Sequence, residues 1–263
     1  MPMLLALDIG NTEISLGLFE GEDLERSWRV TTRPDRTPDE WAVLLRALFA
    51  EGGLDITEVT GTVMCSVVPP ATDAMAEALL TATGTTPVIV GWDSPLPVTL
   101  DVDDPSTVGA DRVVNTLAAS KLFGLDTIVV DFGTATTLDC VTADGRFLGG
   151  VIAPGLLTSS ESLIRRAAKL SPTDLTPPVR AIGRRTDECL RAGLLFGAAD
   201  AVDGLVRRIR AEWPTERVPK VVATGGLAAL VAKFSSEVEE VHPDLTLRGL
   251  RLAHEILLAQ GPA

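Results

Sequence analysis

The chain has 263 residues, 46 % of them hydrophobic, and a formal net charge of −13, enough apolar material for more than one buried core. The acidic balance, with Arg184-Arg185 and Arg207-Arg208 as isolated basic pairs, argues against a nucleic-acid backbone as partner, and no uninterrupted apolar run approaches the roughly 18–20 residues of a membrane-spanning helix. Cys65, Cys140 and Cys189 are scattered without metal-ligand or redox spacing, which suits a reducing compartment; with no basic leader ahead of Leu4-Leu5-Ala6-Leu7, a cytoplasmic location is expected.

Strands are expected over 3–9, 13–19 and 25–31. Thr37-Pro38-Asp39-Glu40 reads as a helix start, with a hydroxyl cap, Pro at the first helical position and acids in the first turn. That helix runs to about Glu51, where Gly52-Gly53 stops it. A strand at 61–66, a helix over 71–83 behind Pro69-Pro70, and a short strand at 87–90 follow. Pro95 and Pro97 punctuate an extended connector, and a helix runs from near Val108 to Leu122. The second half repeats the plan. Strands fall near 127–132, 135–141 and 146–152, with Ala143-Asp144-Gly145 as a hairpin turn. Then come a helix over 156–169, a Pro-containing loop over 171–183, and a long helix from about Thr186 to Glu212. A strand at 219–223 leads through Thr224-Gly225-Gly226 into a helix, and a last helix spans about Leu245 to Ala259. Strand hairpins that lead into helices, twice over, predict an α/β fold of two domains with mixed sheets, divided as 1–116 and 117–263.

The halves also echo each other in detail. Leu4-Leu5-Ala6-Leu7-Asp8-Ile9-Gly10-Asn11-Thr12 and Thr127-Ile128-Val129-Val130-Asp131-Phe132-Gly133-Thr134 are both apolar strands that end in Asp-x-Gly and then amide or hydroxyl residues. One such turn is commonplace. Two copies make hairpin tips whose N–H groups and side chains can ring phosphate oxygens, and tips facing each other across a cleft would form a nucleotide site. Asp8 ends its strand where it can bind Mg2+ directly or through water. Asp131 takes the same place in the second copy, where Thr134, Thr136 and Thr137 add hydroxyls suited to phosphate or an alkali cation.

Pro105-Ser106-Thr107-Val108-Gly109-Ala110-Asp111-Arg112 places an acid and a base at a helix start, where the backbone favours anions. Asp111 is suited to accept a proton from a substrate hydroxyl. Arg112 is suited to hold a carboxylate or to neutralise phosphoryl charge. These features together point to phosphoryl transfer from ATP with a bridging metal ion, without a Walker A or protein-kinase signature.

Taken in order, Asp8-Ile9-Gly10-Asn11-Thr12, Gly109-Ala110-Asp111-Arg112, Asp131-Phe132-Gly133-Thr134-Ala135-Thr136, Gly149-Gly150-Val151-Ile152-Ala153-Pro154-Gly155, Thr224-Gly225-Gly226 and Pro243-Asp244-Leu245-Thr246-Leu247-Arg248-Gly249-Leu250 resemble type III pantothenate kinases over nearly the whole chain. The resemblance implies two actin-like (ribonuclease H-like) domains with mixed sheets flanked by helices and a cleft between them. It implies phosphorylation of pantothenate at its terminal hydroxyl, the first step of coenzyme A synthesis. By the same likeness Asp8, Ile9, Gly10, Asn11, Thr12, Glu13, Ile14 and Ser15 would cradle the ATP phosphates, with Thr134 also on ATP. Gly109, Ala110, Asp111 and Arg112 would bind pantothenate, with Asp111 as the base, and Asp131 would hold a monovalent cation, K+ or NH4+. Thr186 would reach pantothenate from the neighbouring subunit of a homodimer. Two positions depart from the family pattern: Val102 stands where a Tyr is usual, and Glu13 follows Asn11-Thr12 where an Asn is usual. A ligand-binding regulator of the same fold, or another actin-like small-molecule kinase, are the alternative readings.

Overall fold

The computed structural model describes residues 2–260. Along the first strand, β1 (Met3–Ile9), burial reaches both faces. Leu5, Leu7 and Ile9 enter one core with Trp41, Leu45 and Phe49 of α1 (Pro38–Glu51) and Met75 and Leu79 of α2 (Pro69–Thr83). Ala6 enters the other core, with Val113, Val114 and Leu117 of α3 (Ala110–Phe123). Side chains alternate across a strand, so Asp8, two residues after Ala6, leaves the sheet on the α3 side.

This sheet has the order β3-β2-β1-β4-β5, with β2 (Glu13–Glu20), β3 (Asp23–Thr31), β4 (Val59–Ser66) and β5 (Val88–Val90). β2 lies antiparallel to β1, and β4 lies parallel to it. The capping box expected at Thr37 forms: its hydroxyl accepts from the Glu40 N–H, and the Glu40 carboxylate accepts from the Thr37 N–H at 2.8 Å. After the two-residue strand β6 (Thr99–Leu100), α3 carries the chain onward.

The second unit repeats this plan with β7 (Thr127–Phe132), β8 (Ala135–Val141), β9 (Arg146–Pro154), α4 (Leu156–Arg166), α5 (Thr186–Ala211), β10 (Lys220–Thr224), α6 (Ala228–Val231) and β11 (Glu240–Val241). Its strands run in the order β11-β10-β7-β8-β9, with β8 antiparallel and β10 parallel to β7. Ile128, Val130 and Phe132 pack on Leu195, Ala199, Val202 and Val206 of α5, so the apolar stretch within that helix is core. None of the described helices is long and apolar enough to cross a membrane.

The boundary expected at 116/117 needs correction. The first unit runs to Ala118 and takes back the chain from Thr246, while the second spans Ala119–Leu245. The last helix, α7 (Leu245–Ala259), therefore belongs with the first half, because Leu247, Leu250 and Ala253 complete the core around Val113, Val114 and Leu117. Gly249 makes this packing close: a Cβ there would stand 2.6 Å from the Val114 carbonyl oxygen. Buried Thr246 donates to Asn115 Oδ1 at 2.8 Å.

One helix is shorter than expected and another is a single turn. α4 ends at Arg166, where the chain turns as the Leu170 N–H bonds the Ala167 carbonyl ahead of Pro172. α6 is a single turn that tightens into a 3-10 turn over Ala232–Phe234, after which Ser235 and Ser236 are tied to Asp203 of α5. Asp203 is 5 % exposed and accepts from the Ser236 N–H at 2.8 Å, the Ser236 hydroxyl at 2.6 Å, the Ser235 hydroxyl and the Glu237 N–H. Burial pushes its carboxyl up, but these donors outweigh burial and hold it below its ordinary value. Asp203→Ala is expected to lower stability by about 2–3 kcal/mol at neutral pH, measured by denaturant unfolding. A depressed folded pKa stabilises above the unfolded value, so the gap between wild type and variant should close as pH falls through the folded value.

Candidate active site

β1 and β2 meet at a tip formed by Gly10 to Glu13, closed by a hydrogen bond from the Gly10 N–H to the Glu13 carbonyl at 3.1 Å. Gly10 has no left-handed backbone. Glycine is needed there for space, since a Cβ would stand 2.9 Å from the Glu13 carbonyl oxygen. Thr32 braces the tip, its hydroxyl donating to the Gly10 carbonyl at 2.6 Å and its N–H to the Thr12 carbonyl at 3.0 Å.

Of the eight residues expected around the phosphates, Ile9 and Ile14 are fully buried in the core, so only their backbone faces the tip. Asn11, Thr12 and Glu13 are exposed. Ser15 pairs with Asp8 across the ladder and shares its face of the sheet. The Glu13 carboxylate, an unwelcome charge beside phosphates, lies 3.7 Å from Arg29 Nη1 on β3.

Behind the tip, Asp8 pairs in register with Cys65 of β4, and the Cys65 thiol donates to Asp8 Oδ1 at 3.4 Å. Burial, then the negative charge of Asp111, push Asp8 up to about 7, while the thiol bond acts in the opposite direction. Burial and the same two carboxylates push the Cys65 thiol up, so it stays a protonated donor.

Asp111 reaches this pocket from the first turn of α3. A short turn of helix over Pro105–Thr107 precedes α3, capped by Asp104, whose carboxylate accepts from the Ser106 N–H at 3.1 Å. The longer helix therefore starts at Ala110 and not near Val108. The Gly109 carbonyl accepts from the Arg112 N–H at 3.0 Å and the Val113 N–H at 3.2 Å, as a cap residue does. Ala110 is buried in the core. Asp111 folds back so that its Oδ1 accepts from the Arg112 N–H at 2.9 Å. Burial raises Asp111 above its ordinary value, against the Arg112 N–H bond and the Arg112 charge. A Cβ on Gly109 would collide with the Asp111 carboxylate, so glycine here leaves room for the acid.

The second tip, between β7 and β8, is closed by the Gly133 N–H on the Ala135 carbonyl at 3.0 Å. Asp131 pairs in register with Thr137 and Thr224. Two glycines press against this tip. A Cβ on Gly155 would fall 2.5 Å from the Gly133 carbonyl oxygen, and one on Gly225 2.8 Å from that of Phe132 and against the Asp131 carboxylate. Gly225 also takes φ +91, a conformation costly for any other residue. Thr134 is exposed, and its carbonyl accepts from the Gly155 N–H at 3.2 Å and the Thr158 hydroxyl at 2.6 Å. The Gly-rich motifs thus build the second tip.

Thr186 is exposed as the first residue of α5. The segment before it is tied down by Glu188, which accepts from the Arg184 N–H at 2.8 Å and from Arg180 at 3.3 Å.

The first unit therefore gathers Asp8, Ser15, Cys65 and Asp111, and the second gathers Asp131, Thr134 and Thr137. Sequence reading missed Cys65, because only the parallel pairing of β4 with β1 brings it to Asp8. Among the described residues no group of three His, Cys, Asp or Glu side chains converges for a metal ion. Two half-buried carboxylates that repel each other suit Mg2+, which is held by one or two carboxylates together with water and phosphate oxygens. Asp131, with hydroxyls beside it, offers the hard oxygen donors that an alkali cation takes.

A sequence model of type III pantothenate kinases matches residues 4–208. A type III pantothenate kinase of Frankia alni is 46 % identical over 256 residues, covering 96 % of this chain and 99 % of its own. Among solved structures, MreB 5 of Spiroplasma citri bound to AMPPNP aligns with a TM-score of 0.57 and 11 % identity over 99 % of this chain and 98 % of its own. The ROK hexokinase of Thermus thermophilus aligns at 0.51 and 17 % over 98 % and 100 %. These structural likenesses carry the fold, the one shared by actin-like ATPases and sugar kinases.

Proposed function

The chain belongs to the type III pantothenate kinase family, and on that premise we propose that it transfers the γ-phosphoryl group of ATP to the terminal hydroxyl of pantothenate with Asp111 as the general base. The observation that supports this reading is that α3 covers the sheet face from which Asp8 leaves β1, with Asp111 in its first turn near enough that its charge raises Asp8.

Asp111 accepts the hydroxyl proton as the oxygen attacks. Its raised pKa moves it toward the working pH, where a general base is most effective. Arg112, one residue on, holds the pantothenate carboxylate or the charge spreading over the phosphoryl oxygens. The tip from Gly10 to Ser15 holds the triphosphate, and Thr134 contacts the nucleotide. Asp8 would hold Mg2+, directly or through water; the ion supplies neutralisation of the phosphate charge when bound. Asp131 would hold K+ or NH4+. Thr186 would complete the pantothenate site of the partner subunit in a homodimer, and the enzyme works in the cytoplasm.

A coupled ADP-release assay with Mg2+ and K+ tests this. ADP should appear only with pantothenate present, one per pantothenate consumed, and turnover should fall when K+ is replaced by Na+. Turnover with sugars but not pantothenate would instead identify another actin-like kinase. Tight pantothenate binding with no turnover would identify a regulator.

A further inference from the structure

Cys65 is not required by phosphoryl-transfer chemistry, yet it lies beneath the residue that organises the nucleotide. The parallel register of β1 and β4 sets Asp8 beside Cys65, so both side chains leave the sheet on the face covered by α3. Cys65 is fully buried among Ala6, Val63, Ala110 and Val113, which have no polar side-chain atoms. Its Sγ lies 3.4 Å from Asp8 Oδ1, within hydrogen-bond range for sulfur. From these contacts we propose that Cys65 is a positioning residue, whose thiol fixes the side-chain rotamer of Asp8 by holding Oδ1 and leaves Oδ2 for the cation or its water.

The physical need is specific. An aspartate at a strand end turns freely about its side-chain bonds, and its two oxygens are equivalent until something binds one of them. A donor in the rigid centre of the sheet, carried by the neighbouring strand, breaks that equivalence without adding a charge. A cationic partner would also hold Oδ1, but it would compete with Mg2+ for the carboxylate. A valine would fill the same space and leave Asp8 free to turn. A serine keeps a donor on a shorter bond.

This inference rests on Asp8 organising the nucleotide cation, and its test separates the two ideas. Calorimetry measures binding of a non-hydrolysable ATP analogue with and without Mg2+ to wild type, Cys65→Val, Cys65→Ser and Cys65→Ala, beside kcat and the melting temperature of each. Wild type should bind the analogue more tightly with Mg2+; no such gain would overturn the assignment of Asp8 itself. Cys65→Val should lose about tenfold in kcat and most of that gain, while analogue affinity without Mg2+ stays within about twofold. Cys65→Ser should recover both to within about threefold. Cys65→Ala gives the donor-free result should the valine variant fail to fold. A donor-free variant with wild-type kcat and a wild-type Mg2+ gain would overturn the role of Cys65 alone. So would losses in all three variants that simply follow their melting temperatures.

Discussion

Asp111→Asn is expected to lower kcat by about 10²–10⁴-fold while ATP affinity stays within about threefold of wild type. Asparagine matches aspartate in shape. Its carbonyl oxygen can still accept from the Arg112 N–H that Asp111 now binds at 2.9 Å, so the first turn of α3 keeps its hydrogen bond. What disappears is the basic site and one of two repelling charges. Asp8 is raised in part by Asp111, so its carboxylate should ionise more readily in the variant, and nucleotide binding has no electrostatic reason to weaken. ADP release under saturating substrates reads the first effect, and calorimetry with an ATP analogue reads the second. A variant with full turnover would show that another group takes the proton.

Gly109→Ala should leave the protein folded and cost about 10²-fold in kcat. Gly109 has no left-handed backbone, so alanine meets no conformational penalty there. It caps α3 through its carbonyl, which alanine retains, although alanine is the poorer cap residue by roughly 1 kcal/mol. The damage falls on one place: the new methyl group would collide with the Asp111 Oδ1, so the carboxylate must rotate away. A displacement of about 1 Å at a reacting group can cost 10²-fold in rate. A melting temperature within a few degrees of wild type, together with the lost turnover, would separate this cause from misfolding. Unchanged kcat would mean that the carboxylate seen in this rotamer is not the working one.

Much of this architecture is legible in the sequence because local chemistry and tertiary packing agree. The apolar run before Asp8 and its copy before Asp131 are strands at the expected places, and the Thr37 to Glu40 capping box forms as read. The three-strand hairpin plan, a fourth strand and the long α5 follow the hydrophobic pattern. What the sequence hid depends on distant partners. The last helix joins the first unit because Leu247, Leu250 and Ala253 fit a core formed by residues more than a hundred positions earlier, and no local signal encodes that return. β11, with two residues, is too short to have a pattern. The helical stretch after β10 ends at Phe234, and Asp203, on another helix, claims Ser235 and Ser236 beyond it.

The site was legible in its acids and less so in its glycines. Asp8, Asp111 and Asp131 stand where strand ends and a helix start put them. Gly225 reads from sequence as part of a strand-to-helix turn, and in the fold it packs against Asp131 and the Phe132 backbone. Glu13 reads as a misplaced charge, and the fold answers it with Arg29 two residues from its ladder partner on β3. Cys65 was invisible because only the parallel register brings it to Asp8.

The most direct measurement is a crystal structure with a non-hydrolysable ATP analogue, Mg2+ and pantothenate together. The account predicts the triphosphate at the Gly10 to Ser15 tip and the terminal hydroxyl of pantothenate within about 2.6–3.2 Å of the Asp111 carboxylate. A pantothenate hydroxyl directed at another group, with Asp111 left facing only its own helix, would contradict it.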